Sequence, residues 1–228
     1  SYPEQPSPAL DNINITINPG EKVGIIGRIG SGKSTLAKML IRLYDPSSGS
    51  VLLDGFDAQQ LDPADLRKNL GYVAQDAKLF YGTVRENITF GLNAVSDEEV
   101  VAAATKAGIL ELVNSHPLGF EMPVGERGET LSGGQRSAIS LSRVFLRSPR
   151  VLLMDEPTAA MDQGTEERMR QQIRTEFTDC TLLLITHKMN MLDLVDRLIV
   201  MDKGTIVADG PKAEVLEALK TGTVRGKS

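Results

Sequence analysis

The stretch Gly27-Arg28-Ile29-Gly30-Ser31-Gly32-Lys33-Ser34-Thr35 decides the fold of this chain. It matches the pattern G-x-x-x-x-G-K-[ST], whose glycines let the backbone wrap closely around a phosphate with its N–H groups pointing inward. Residues 22–26 before it form a short apolar run typical of a strand, and residues 33–44 after it carry apolar side chains at helical spacing. A strand, a glycine-rich loop and a helix in this order predict a site for a nucleoside triphosphate.

Two side chains of this loop have predicted roles. Lys33 is expected to reach the β- and γ-phosphates, and the Ser34 hydroxyl is expected to ligate Mg²⁺. The alternative reading is a plain glycine turn with no ligand. The flanking strand and helix disfavour that alternative, because a turn alone requires neither.

A second stretch supplies acidic residues, Val151-Leu152-Leu153-Met154-Asp155-Glu156. Four apolar residues that end in a carboxylate predict a buried parallel strand with Asp155 at its carboxyl edge, where α/β folds bind ligands. Asp155 is expected to hold Mg²⁺, and Glu156 to polarise an attacking water. The alternative is that these acidic residues only end a strand at the surface. The presence of the phosphate loop favours the interpretation as a metal and water site.

Composition and charge exclude several classes of protein. The 228 residues include 25 lysines and arginines against 30 aspartates and glutamates, so the formal net charge is −5. This balance disfavours a dedicated nucleic-acid binder. No apolar run approaches the roughly 18 residues of a membrane span, and the first residues lack a signal-peptide pattern. Cys180 is the only cysteine and precedes an apolar run, which predicts a buried, inert thiol.

Short apolar runs alternate with amphipathic stretches along the chain, which predicts a mainly parallel sheet covered by helices. Asp62 and Pro63 have the pattern of a helix cap followed by the first helical residue, and Ser96-Asp97-Glu98-Glu99 has that of a capping box. The predicted strands are residues 22–26, 49–53, 69–74, 151–155, 179–186, 197–201 and 205–208. The predicted helices are residues 33–44, 165–177 and 212–220, with one more starting at Asp62, and residues 96–115 are predicted to be mostly helical.

A second anion site is predicted at Leu131-Ser132-Gly133-Gly134-Gln135. Residues 136–147 continue with apolar side chains at helical spacing, so Ser132 is a candidate cap and the two glycines leave the start of the helix bare. A bare helix N-terminus attracts anions. One chain thus has two phosphate-binding features, although only one of them contains a lysine of the Lys33 type.

At these residues the sequence resembles the nucleotide-binding domain of an ATP-binding cassette (ABC) transporter, and the resemblance covers nearly the whole chain with the motifs in the family's order. The matching motifs are the aromatic residue that stacks on adenine (Tyr2), Walker A (Gly27–Thr35), the Q-loop glutamine (Gln75), the signature (Leu131–Gln135), Walker B with the catalytic glutamate (Val151–Glu156), the D-loop aspartate (Asp162) and the switch histidine (His187).

The resemblance implies a P-loop NTPase core with a mainly parallel sheet, an N-terminal antiparallel β element and an inserted helical subdomain at about residues 80–148 that carries the signature. It implies ATP and Mg²⁺ as ligands and an ATP-dependent head-to-tail homodimer. In that dimer Ser132, Gly133, Gly134, Gln135 and Asp162 contact the nucleotide of the partner.

The resemblance also gives roles to two residues whose ordinary interpretation is a solvated loop position. Gln75 would reach the metal and the attacking water, and His187 would hydrogen-bond the γ-phosphate as a neutral imidazole. Together with Glu156 they form the expected catalytic set.

Two further segments resemble exporters within the family. Residues 79–88 are similar to the stretch that contacts the transmembrane part, and residues 124–128 to the exporter X-loop, in which Glu126 would transmit motion. Residues 159–168 look like bacterial type I protein-secretion ATPases, including those that export adhesins. This implies a transmembrane domain upstream of Ser1, a place at the cytoplasmic face of the inner membrane, and a periplasmic adaptor and outer-membrane channel as partners.

Three alternatives stay open at this point. One is an exporter of lipids, drugs or peptides. Another is a soluble ABC ATPase that acts on nucleic acid or ribosomes, which the acidic charge and the lack of a long coiled-coil insertion disfavour. The last is a regulatory module that binds nucleotide without hydrolysis, which Glu156 and His187 argue against.

Overall fold

The computed structural model describes residues 8–223. Its strands are β1 (Lys22–Gly27), β2 (Leu52–Leu53), β3 (Phe56–Asp57), β4 (Leu70–Val73), β5 (Val151–Asp155), β6 (Thr181–Ile185), β7 (Arg197–Asp202) and β8 (Thr205–Pro211). Its α-helices are α1 (Lys33–Leu40), α2 (Pro63–Asn69), α3 (Val84–Thr89), α4 (Asp97–Lys106), α5 (Leu110–Ser115), α6 (Gly133–Arg147), α7 (Gln163–Glu176) and α8 (Lys212–Lys220).

The main sheet has the strand order β4-β5-β6-β1-β7-β8. β5 pairs with β6, β6 with β1 and β1 with β7, all in parallel, whereas β8 returns antiparallel to β7. β2 and β3 form a separate antiparallel hairpin in the N-terminal part of the chain. The predicted α/β class, with a mainly parallel sheet and an antiparallel element, is therefore confirmed.

The chain forms two compact units. The first contains the residues up to Tyr72, Arg150–Asp155 and the residues from Asp179 onward; the second contains Val73–Pro149 and Glu156–Thr178. The buried core of the first unit consists of Val23, Ile25, Leu36, Ala37, Ile41, Leu153, Leu183, Ile185, Ile199 and Met201. The buried core of the second consists of Leu79, Val84, Ile88, Val100, Ala104, Ile109, Val113, Met122, Val124, Leu131, Ala138 and Ile139.

The helix caps explain where several helices begin. The Asp62 side chain accepts the backbone N–H groups of Ala64 and Asp65, and Pro63 occupies the first turn of α2. Ser96 and Glu99 form a reciprocal capping box at the start of α4. Each cap satisfies backbone donors that the helix cannot pair internally, so both predicted starts are confirmed.

Two predicted elements, the helix 33–44 and the strand 49–53, differ from the structure. The helix after the phosphate loop ends at Leu40 and not at residue 44, because Arg42 adopts a left-handed backbone (φ 54°) and donates to the Leu61 carbonyl. Residues 96–115 are mostly helical, as predicted, and form α4 and α5 with a break at Gly108, whose φ is 75°. The predicted strand 49–53 is reduced to the two residues of β2.

The helix α3 was not predicted. It has six residues and begins with a capping box between Thr83 and Glu86. A helix of this length is too short to show a clear apolar period, and packing against α6 rather than propensity stabilises it. In the part of the chain that the structure describes, no helix has the length and apolar character needed to cross a bilayer.

Candidate functional site

The phosphate loop lies between the end of β1 and the start of α1, and its glycines are needed for close approach. A Cβ atom on Gly27 would lie 2.1 Å from the Met201 carbonyl oxygen. Gly32 is the N-cap of α1 with φ 97°, and a Cβ there would lie 2.8 Å from the Ala9 carbonyl oxygen. Neither position accepts a side chain, so the loop is shaped by backbone alone.

The chemistry of this loop suits an anion. No side chain caps the N-terminus of α1, and its first turn contains no acidic residue. The Lys33 ammonium donates to the carbonyl oxygens of Gly27 and Arg28, each at 2.8 Å, and is thereby held inside the loop. Backbone N–H groups, the helix dipole and one ammonium group therefore point to the same place, and phosphate oxygens complement all three.

The tip of the loop differs from its base. Arg28, Ile29 and Gly30 are exposed, and Ile29 is fully so, whereas Ser31 is buried. Within residues 8–223, the Ile29 side chain at this tip packs against no other side chain. Ile29 thus lies at the surface, and the phosphate contacts predicted for this loop stay a prediction.

A cavity of 630 Å³ lies next to the loop, and residues of three segments line it. Gly30 to Thr35 form one wall, and Asp11, Lys203 and Gly204 belong to the others. The Gly204 N–H donates to the Ser31 carbonyl at 3.1 Å, and the Asp11 N–H donates to the Gly204 carbonyl at 2.8 Å. The turn between β7 and β8 is therefore part of the site.

The sequence alone gives no role to Lys203 and Gly204, which lie between two predicted strands. Only the strand order of the sheet indicates this role, because β1 pairs with β7 and Gly27 is in register with Met201. That pairing brings the turn after β7 beside the loop after β1. No local pattern at Lys203 indicates it.

The register of the parallel strands gathers the next residues of the site. Asp155 is in register with Ile185, and Ile185 with Ile25, so β5, β6 and β1 end at the same edge of the sheet. Asp155 is buried, whereas His187, two residues beyond β6, is exposed. Asp155 thus lies at the carboxyl edge of the sheet, where it was predicted, and the roles of Asp155 and His187 stay predictions.

A neighbouring tyrosine reports the environment of Asp155. Burial, and next the negative charge of Asp155, raise the pKa of the Tyr72 phenol to about 12. The phenol therefore keeps its proton to a higher pH than an exposed tyrosine does. An anionic Asp155 is the form that binds a divalent cation.

The donor set fits a magnesium ion that is shared with phosphate. Within residues 8–223, no three His, Cys, Asp or Glu side chains cluster closely enough to form a protein-only metal site. Mg²⁺ usually takes one or two protein oxygens and completes its shell with water and substrate phosphates. The Ser34 hydroxyl, in the first turn of α1, and the Asp155 carboxylate supply oxygens of this kind.

Glu156 follows β5 directly and has an unusual backbone. Its φ is 48°, in the left-handed region that side-chain-bearing residues seldom adopt, and it is buried. Such strain is maintained only where the surrounding structure imposes it, and it is concentrated at functional sites. The catalytic role of Glu156 stays a prediction, because residues without such a role, for example Arg42, have a similar φ.

The signature residues begin α6 in the second unit. Ser132 is the N-cap, its hydroxyl accepts the Gln135 N–H, and the Gln135 side chain accepts the Ser132 N–H. The cap predicted at Ser132 is confirmed. The helix start is not bare, however, because Ser132 already satisfies one of its donors.

The two signature glycines have a packing role as well. A Cβ on Gly133 would lie 2.6 Å from the Ala160 Cβ, and one on Gly134 would lie 3.3 Å from the Ala160 carbonyl oxygen. The loop at Ala160 therefore packs against the first turn of α6 at a distance that only glycine permits. Sequence reasoning assigned these glycines to the ligand alone.

The remaining predicted residues lie at exposed positions. Asp162 is the N-cap of α7, and hydrogen bonds from the Thr165 hydroxyl and backbone lower the pKa of its carboxyl. Gln75 and Glu126 are exposed. Tyr2, expected to stack on adenine, lies outside the described residues.

Comparisons with known proteins agree with this geometry. A family model described as "ABC transporter" matches residues 10–159. The leukotoxin export ATP-binding protein LtxB of Aggregatibacter actinomycetemcomitans is 41% identical over 91% of this chain, and the match covers 29% of that protein. A putative multidrug export ATP-binding/permease protein of Staphylococcus aureus is 38% identical over 94% of this chain and is covered to 37%.

A solved structure gives the same result for the fold. The structure of a bacterial Atm1-family ABC exporter with ATP bound matches 87% of this chain with 36% identity and a TM-score of 0.83, and the match covers 35% of that chain. The chain thus spans about a third of the length of the relatives it matches. It belongs to the ABC transporter family, as an ATP-binding ATPase domain whose relatives are exporters.

Proposed function

We propose that this chain powers export across a membrane as a head-to-tail homodimer with two shared ATP sites. The observation that carries the proposal is the presence of two anion-compatible helix starts, α1 with Lys33 and α6 with Ser132, of which only the first has a lysine. Neither helix has an acidic residue in its first turn. In a head-to-tail dimer each α6 start completes the partner's phosphate loop, which accounts for both features.

The residues divide the hydrolytic work as follows. Lys33 and the loop amides hold the phosphates, Ser34 and Asp155 hold the metal, and Glu156 polarises the attacking water. Mg²⁺, when bound, neutralises charge on the phosphate oxygens. His187 and Gln75 sense the γ-phosphate and the metal, and Asp162 contributes across the dimer.

The segment Leu79–Phe90, which we call the docking segment, is the proposed contact with a transmembrane domain. Phe80 and Phe90 are half-exposed and stacked at 4.0 Å between ring centroids, and Tyr81 is 87% exposed. Exposed aromatic side chains in one patch are typical of a protein interface. Glu126, exposed in the second unit, is the proposed coupling residue of the X-loop.

For the cargo we propose protein, secreted by a type I system from the cytoplasmic face of a bacterial inner membrane. Residues 159–168 and the relationship to the leukotoxin exporter support this choice. A periplasmic adaptor and an outer-membrane channel would then be partners. The similarity to a multidrug and an Atm1-family exporter keeps another exported cargo as the second candidate.

The dimer is tested with Glu156→Gln, which keeps the size of the side chain and removes the carboxylate. With ATP and Mg²⁺ this variant should sediment as a dimer that hydrolyses ATP slowly, because the bound nucleotide is retained. Lys33→Ala in the same background is the matched control, and it should remain a monomer. If Glu156→Gln stays monomeric at saturating ATP, the shared-site model is wrong.

The cargo is tested with the full-length transporter in lipid vesicles. A protein-secretion ATPase should be stimulated by an unfolded secretion substrate and not by hydrophobic drugs. The opposite result would favour the second candidate.

A further inference from the structure

Asn87, in the middle of the docking segment, is a buried polar residue with all of its hydrogen-bonding groups in use. Its side-chain N–H groups donate to the carbonyls of Phe80 and Thr83, each at 2.9 Å, and its Oδ1 accepts the Phe80 N–H at 2.9 Å. Asn87 is 1% exposed. The backbone that carries the exposed Phe80 is therefore folded around this one amide.

Arg143 of α6 holds the same amide from the other side. Its Nη2 donates to Asn87 Oδ1 at 2.7 Å, and its Nε donates to the Asn87 backbone carbonyl. Its guanidinium carbon lies 5.5 Å from the centroid of the Phe80 ring. A planar fork with two parallel donors fits this arrangement, and a lysine ammonium does not.

Arg147, one helical turn further along α6, holds the other end of the docking segment. Its Nη2 donates to the Phe90 carbonyl at 2.8 Å, and Phe90 stacks on Phe80. Two arginines of one helix thus fasten both ends of the aromatic patch. We call Asn87, Arg143 and Arg147 the arginine clamp.

The positively charged guanidinium of Arg143 contacts neutral groups. Among the described residues no carboxylate forms an ion pair with it, and its contacts are an amide oxygen, a carbonyl oxygen and a ring face. Burial, and next the charge of Arg147, lower its pKa to about 10, so it remains protonated at neutral pH. Hydrogen bonds of this type depend strongly on geometry, and a shift of the docking segment would change them directly.

The same helix begins at the signature. α6 extends for 15 residues from its Ser132 cap to Arg147, a rise of about 22 Å at 1.5 Å per residue. Its inner face is buried along most of this length, which makes it a rigid rod between the clamp and Ser132.

We propose that Arg143 is a positioning residue, which fixes the docking segment to α6 so that the placement of this segment sets the placement of Ser132 at the other end of the helix. The inference rests on the proposed function, because Ser132 acts there on the partner's nucleotide. Arg143 belongs to the second compact unit, whereas the phosphate loop belongs to the first.

The test measures dimerisation and nucleotide binding separately, in the Glu156→Gln background. Arg143→Met should raise the dissociation constant of the ATP-bound dimer at least tenfold in sedimentation experiments. Binding of a fluorescent ATP analogue to the monomer should change less than twofold. Asn87→Ala should have a similar effect, and the double variant should be little worse than either single one, because both break the same link.

A control distinguishes positioning from mere stability. Ile139→Val removes one methylene from the buried face of α6 and lowers the unfolding midpoint without touching the clamp. This variant should change the dissociation constant of the ATP-bound dimer by less than twofold. Should Arg143→Met fail to fold, Arg143→Lys keeps the charge and stem but loses the fork, and it should weaken the dimer three- to tenfold.

Two results would overturn the inference, and they differ from each other. If the Arg143 and Asn87 variants dimerise as tightly as the background, or if Ile139→Val weakens the dimer as much as they do, Arg143 has only a structural role. If Glu156→Gln itself does not dimerise, the shared-site model falls and this inference falls with it.

Discussion

Gly133→Ala offers a quantitative test of the contact between the signature and the loop at Ala160. The new Cβ would lie 2.6 Å from the Ala160 Cβ, whereas carbon atoms pack at about 3.5–4.0 Å. One of the two segments must therefore move by about 1 Å. Overpacking of this kind costs about 1–3 kcal/mol, and the helix gains about 0.5–1 kcal/mol when alanine replaces glycine.

The expected net effect is a loss of about 0–2.5 kcal/mol in the free energy of unfolding. Ala160→Gly removes the opposing methyl group and should restore most of that loss in the double variant. The coupling energy of this double-mutant cycle should then be about 1–3 kcal/mol, measured by urea unfolding of the nucleotide-free chain.

Gly134→Ala is the matched control, because its Cβ would meet the Ala160 carbonyl oxygen at 3.3 Å and not the methyl group. It should destabilise less, and Ala160→Gly should not rescue it. A coupling energy below about 0.5 kcal/mol between Gly133→Ala and Ala160→Gly would refute the packing argument.

Two further predictions concern the first unit. Lys203→Ala should weaken ATP binding about three- to tenfold, because a cation that lines the phosphate cavity contributes on the order of 1 kcal/mol to binding. The loss of affinity should be smaller at high salt, and titration with a fluorescent ATP analogue measures it. An unchanged affinity would exclude a contact between Lys203 and the nucleotide. The pKa of Tyr72 is raised to about 12, so the phenol loses its proton at a lower pH in the unfolded chain than in the folded one. The free energy of unfolding should therefore fall as the pH rises from about 10 towards 12. Urea midpoints at about pH 9 and pH 11.5 should show a smaller fall in Tyr72→Phe, and equal falls would contradict the assignment.

Local chemistry explains why the caps and the phosphate loop could be read from the sequence. Asp62 and Ser96 satisfy donors within three residues of themselves, and the left-handed backbone of Gly32 (φ 97°) favours glycine for a local reason. The buried strands are equally readable, since apolar runs such as β5 and β6 are short and almost continuous. All of these features depend on neighbours along the chain.

Contacts between distant segments could not be read in this way. Nothing near Lys203 indicates that it lines the phosphate cavity, and nothing near Gly133 indicates that Ala160 lies against it. Arg143 and Asn87 are 56 residues apart, and each occurs in a stretch with an ordinary helical or capping explanation. Such pairs have no fixed spacing, so no local pattern records them.

The sequence by itself determined the nucleotide chemistry of this chain. The phosphate loop, the buried strand that ends in a carboxylate and the glycine-rich, capped start of α6 are each formed by residues that are neighbours in the chain. Only the tertiary structure decided which other residues complete those features. The sheet order brings Lys203 to the phosphate loop, and the packing of α3 on α6 joins Arg143 to the docking segment. Both depend on how apolar faces pack over long sequence separations, and many arrangements of the chain satisfy the same local preferences.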